Sequence, residues 1–150
     1  MEMSGEHIIP ANREAVWAAL NDAGVLQACI PGCEEVVKSS DTELSAKVRL
    51  KIGPVKARFS GDVTLSDIVA PETYVISGKG NGGVAGFAKG GARVHLEDLG
   101  DEGTKLTYEV EAAIGGKLAQ LGQRLIKSTS EKLAAQFFDS FAAQFEPEAA

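Results

Sequence analysis

Gly116-Lys-Leu-Ala-Gln-Leu-Gly-Gln-Arg-Leu-Ile-Lys127 opens a run that continues to Glu146 and decides how the rest of the chain is arranged. Leu118, Leu121, Leu125, Thr129, Leu133, Phe137, Phe141 and Phe145 recur at three- and four-residue steps, the period of one face of a helix. The spacing predicts one continuous helix, begun after Gly115-Gly116 and stopped by Pro147. At 1.5 Å per residue it would be roughly 45 Å long. Gly122 would sit inside it at a cost of about 1 kcal/mol against alanine, which implies that something approaches closely there. Lys117, Arg124 and Lys127 crowd the amino-terminal half, where the helix dipole favours acids. A solvated face accounts for them, and so does contact with an acidic partner or anionic lipid. The phenylalanines near the end read as core or as the cover of an apolar pocket.

Nearly everything before that run reads as strand. From Glu43 to Ile52 the residues Leu44, Ala46, Val48, Leu50 and Ile52 alternate with Ser45, Lys47, Arg49 and Lys51, the period of a half-buried strand. Gly53-Pro54 turns the chain, and Val55 to Leu65 repeats the alternation through Ala57, Phe59, Gly61 and Val63, so the pair reads as an antiparallel hairpin. Thr73 to Gly80, Ala92 to Leu99 and Lys105 to Ile114 are further strands, the last inward through Leu106, Tyr108, Val110, Ala112 and Ile114. Ahead of these come a strand from Met3 to Ile9, a helix begun near Asn12, a second short helix from Ala23 to Ala28, and a brief strand from Glu34 to Lys38. Half of the segment Gly78 to Gly91 is glycine. A phosphate-binding loop would need a helix amino terminus directly after it, whereas a strand follows; the glycines instead suit strong bending or close backbone approach.

The 150 residues favour one domain, and composition is globular, 44% hydrophobic and 24% charged. A formal charge of −6 argues against nucleic-acid binding. No apolar run reaches the roughly 20 residues of a membrane span, and Met1-Glu-Met-Ser-Gly-Glu-His7 lacks the order of a signal peptide, so a cytoplasmic chain is expected. Cys29 and Cys33 are expected as free thiols: their spacing is neither redox nor zinc-like, and His7 and His95 are the only histidines. No metal site is expected. No catalytic Ser/His/Asp set is identifiable either, and His95 falls on the outward parity of its strand.

The element order is therefore α+β: about six to seven antiparallel strands curved around one long carboxy-terminal helix, with two short helices after the first strand. A curved sheet that meets a helix along only part of its length leaves a cavity, mostly apolar with few polar groups. Its expected lining is Leu26 from the second helix and Val48, Leu50, Phe59 and Val63 from the first hairpin. Tyr74, Ile76, Phe87, Val94, Tyr108 and Val110 come from the later strands, and Leu121, Leu125, Thr129 and Leu133 from the long helix.

Val16-Trp17 with Leu20-Asn21-Asp22, Cys29-Ile-Pro-Gly-Cys-Glu34, Gly78-Lys-Gly80 with Gly86-Phe-Ala-Lys-Gly90, and Gly116 to Ile126 resemble, in order, the carbon monoxide dehydrogenase CoxG family. That family lies within the START-like (SRPBCC) superfamily of helix-grip folds, and the resemblance covers essentially the whole chain as a single START-like domain. It implies a non-catalytic protein that binds an apolar ligand, a quinone, in the grip cavity. It also implies a molybdenum-containing hydroxylase as partner and recruitment to the membrane, at its inner face; Lys117, Arg124 and Lys127, from their charge and place on the last run, are the candidate partner or membrane contact. START-like relatives include cyclases and hydrolases of hydrophobic substrates; on that alternative reading Tyr108 or Tyr74 would supply the polar group.

Overall fold

A computed structural model describes residues 1–145. The chain runs β1 (Glu2–Ile9), α1 (Arg13–Leu20), α2 (Ala23–Cys29), β2 (Cys33–Ser40), β3 (Glu43–Ile52), β4 (Val55–Val69), β5 (Thr73–Asn81), β6 (Phe87–Asp98), β7 (Thr104–Gly115) and α3 (Gln123–Ala143). The seven strands form one curved antiparallel sheet in the order β1-β7-β6-β5-β4-β3-β2. No helix among the described residues is long and apolar enough to cross a membrane.

Local chemistry places the short helices. Asn12 caps α1, its Oδ1 accepting from the Ala15 N–H at 2.8 Å, and Asp22 caps α2 by accepting from the Val25 N–H at 3.1 Å; each satisfies an amide that the first helical turn leaves free. The strands follow the alternation of the sequence, with β3 bounded where the pattern starts and stops.

The long helix departs from its expected form. Residues Gly116–Leu121 make a 3-10 segment, and α3 begins only at Gln123, which leaves 21 residues and a length of about 32 Å. The cause is close backbone approach: a Cβ on Gly116 would stand 2.6 Å from the Gly86 Cα, so the segment is held against the β5–β6 turn with Leu118 buried. Gly122, at φ 90° and ψ 149°, then redirects the chain. It lies outside the helix, and a Cβ there would meet nothing within 4 Å, which overturns the reading of a close approach at that position. Glu146, Pro147 and the acidic tail expected to fray after them lie outside the described residues.

The core sits at one end of the sheet. Ile9, Val16, Leu20, Leu65, Tyr74, Val94, Leu96, Leu106 and Phe141 are buried together; Phe141 is fully enclosed, and each large apolar side chain so enclosed stabilises the fold by roughly 1.5–3 kcal/mol. Towards the β3–β4 turn the same inner face is only half-buried, through Val48, Leu50 and Phe59. The helix seals one end of the sheet and leaves the other ajar.

Candidate functional site: an apolar cavity beneath the long helix

Side chains cross the inner face of the sheet in rows fixed by strand register. Ala46, Gly61, Gly80 and Ala88 form one row, and Leu44, Val63, Gly78, Gly90 and Ala112 form the next. Small residues dominate both, so the floor there is largely backbone. Backbones approach closely there: a side chain at Gly90 would run into the Glu111 carbonyl and the Ala112 Cα. The glycine-rich segment of the sequence is thus paired strand, β5 and β6 joined by a tight turn through Gly83–Ala85.

Next to these rows, and sharing Leu44, Ala46 and Val63 with them, lies a cavity of about 270 Å³, roughly the liquid volume of nine waters. It is enclosed by Leu20, Leu26, Ile30, Val36, Leu44, Ser45, Ala46, Val63, Leu65, Tyr74, Ile76, Val94, Leu106, Phe137 and Phe138. No charged or histidine side chain is among them; the Tyr74 phenol and the Ser45 hydroxyl are the polar side-chain groups of the lining. Burial pushes the Tyr74 phenol far above its ordinary pKa, which keeps it protonated at any physiological pH.

Of the side chains expected at such a cavity, Leu26, Val63, Tyr74, Ile76 and Val94 stand around it. Val48, Leu50 and Phe59 lie on the same face nearer the β3–β4 turn, half-buried and outside the enclosure, and Val110 lies towards the β1 edge. Leu121, Leu125, Thr129 and Leu133 are half-buried along the amino-terminal part of the last segment; Leu125 reaches the β3–β4 turn, its Cδ2 3.0 Å from where a Gly53 Cβ would stand. Phe87 is a correction. It has the outward parity of β6, is 52% exposed and lies over Gly115.

Tyr108 is a second correction, and its cause lies on another strand. Gly5 pairs with it, and the missing side chain opens a space at the β1 edge that the tyrosine fills, its hydroxyl 2.7 Å from the position of a Gly5 Cβ. The ring stacks with Phe138 at 5.3 Å, beside His7 at 6.1 Å. Burial and the nearby Glu131 hold the phenol above its ordinary pKa. His7, which the sequence left without a role, faces α3 and stacks on Phe138 at 4.2 Å; burial lowers its pKa while Asp139 partly offsets this. His95 is exposed. Cys29 is buried and Cys33 half-buried, both as free thiols raised by burial.

Charge is segregated along the molecule. The segments 49–59, 79–89 and 113–130 meet at the half-open end and contain no acid. They carry Arg49, Lys51, Lys56 and Arg58, then Lys79 and Lys89, then Lys117, Arg124 and Lys127. Lys51 stands opposite Lys56, and Lys89 opposite Lys79, pairings that cost stability in a sheet. Glu34 engages Arg58 at 2.7 Å and Arg49 at 3.9 Å. Among the described residues the other seven form no ion pair, although Lys127 borders a shallow depression that also includes Glu2, Glu109 and Glu111. At the apex of the β5–β6 turn Val84 is 86% exposed.

The family model of carbon monoxide dehydrogenase CoxG matches residues 5–146. A conserved protein of Geobacillus kaustophilus shares 29% identity and superposes with a TM-score of 0.89, over 96% of this chain and 94% of that one. The Zhui aromatase/cyclase of Streptomyces sp. R1128 is 10% identical at a TM-score of 0.70, covering 96% and 92%. A START superfamily protein of Mycobacterium smegmatis is 12% identical at 0.72, covering 95% of each chain. At such identities the last two establish the fold alone. No curated protein matches the sequence.

Proposed function

Because the chain belongs to the carbon monoxide dehydrogenase CoxG family, whose model matches residues 5–146, we propose that it is a non-catalytic carrier of an apolar, quinone-like molecule. Its site is the cavity between the sheet and α3. The observation that carries this reading is the lining itself: hydrocarbon on nearly every side, two phenylalanines from α3, and no charged or histidine side chain. Such a wall excludes water and recognises apolar surface. The family supports a molybdenum-containing hydroxylase as the protein served. The test is organic extraction of the purified protein followed by mass spectrometry, together with titration of the emptied protein with a short-chain quinone. A co-purified quinone or a saturable titration is expected; an empty extract and no binding would remove the reading.

The acid-free end supports a second element, contact with the anionic inner face of the membrane. An exposed Val84 flanked by lysines suits an interface that is apolar below and negative above. Lys117, Arg124 and Lys127 are all exposed there. Arg124 and Lys127 begin α3, and Lys117 stands on the 3-10 segment before it.

A further inference from the structure

We propose that the Tyr74 hydroxyl anchors the ligand by donating a hydrogen bond to a carbonyl oxygen on an otherwise hydrocarbon, ring-bearing molecule. This rests on the carrier reading and narrows the ligand class.

Tyr74 is 4% exposed and lines the cavity, yet among the described residues its hydroxyl has no hydrogen-bond partner. Its oxygen is not sealed off, since Arg13 Nε is the one fully enclosed side-chain polar atom left unpaired among the described residues, so the hydroxyl is free to meet a ligand atom. The only other lining side chain with a polar atom is Ser45, which belongs to the outward parity of β3. Trp17 packs edge-on against the Tyr74 ring, 5.1 Å away at 82°, and braces it.

The chemistry of the partner follows from what the cavity lacks. A carboxylate would need a cation, and none lines the wall. An alcohol, amine or amide would bring donors that hydrocarbon cannot satisfy. A carbonyl brings acceptors only, and the protonated phenol supplies the donor. Phe137 and Phe138, themselves edge-to-face at 5.0 Å, offer ring surfaces to a planar body.

The experiment compares 1,4-naphthoquinone with naphthalene, which has the same ring frame and no oxygen, by displacement of an apolar fluorescent dye from wild type and from Tyr74→Phe. The two compounds differ in desolvation as well as in the hydrogen bond, so the change on mutation isolates the bond. Tyr74→Phe should weaken the quinone by about two- to tenfold and leave naphthalene unchanged. The carbonyl stretch of the bound quinone gives a second reading on wild type alone: it should fall on binding, as a hydrogen-bonded carbonyl does. A quinone affinity unchanged in Tyr74→Phe, an equal loss for naphthalene, or an unshifted stretch would overturn the anchor and leave the carrier standing. Failure of both compounds to displace the dye from wild type would remove the carrier reading, and the anchor with it.

Discussion

The imidazole of His7 and the ring of Phe138 lie 4.2 Å apart and 20° from parallel, so the first strand holds the last helix through a stack of two rings. Burial keeps the imidazole below its ordinary pKa and Asp139 only partly restores it, so the fold favours the neutral ring. Stability from this pair is complete above the unfolded-state value near 6.5 and declines as the pH falls through that value towards the lower folded one. Urea midpoints between pH 8 and pH 5 should therefore fall more for wild type than for His7→Phe. Parallel curves would show that the stack does not sense protonation.

Gly122→Ala separates two views of the last segment. Inside a continuous helix the change would stabilise by about 1 kcal/mol. At φ 90° and ψ 149° it forces a side chain into backbone space that belongs to glycine, at about 1–3 kcal/mol. Chemical denaturation should show a loss; a gain would mean the helix runs through.

Ala46→Phe places a ring in the cavity from its floor. Ligand affinity should drop more than tenfold, while melting temperature holds or rises, since filling an empty hollow commonly adds about 0.5–2 kcal/mol. If the variant melts as wild type does and still binds fully, the ligand sits elsewhere.

Lys51→Glu with Lys89→Glu replaces one member of each like-charged pair. Sedimentation with phosphatidylglycerol vesicles should be lost, with no binding to phosphatidylcholine by either form, and stability should hold or improve as self-repulsion goes. Undiminished sedimentation would rule this end out as the contact.

How far the sequence can be read is clearest at particular residues. The alternation of Leu44 through Ile52 with Ser45 through Lys51 is strong, because one face meets hydrocarbon and the other water, and β3 spans that run. Phe87 could not be oriented the same way, since glycine and alanine around it erase the alternation; only register against Gly115 sets its face. Tyr108 has the expected parity but leans aside into the space left by Gly5, about a hundred residues earlier in the chain. Among the cavity residues the sequence missed, Leu44, Ala46, Leu65 and Leu106 already carry inward parity, and Phe138 lies one step off the expected stripe of α3. What periodicity lacks is position along the strand: Val48, two residues from Ala46, is outside the enclosure.

The uneven burial of the inner face gives the site a direction. On the carrier reading, the part where Tyr74 stands takes the leading group of a molecule, and a longer ligand would run on past the half-buried Val48, Leu50 and Phe59 towards the lysine-rich end. On that reading the site would select heads and leave tails unmeasured, so homologues differing only in chain length should be accepted alike.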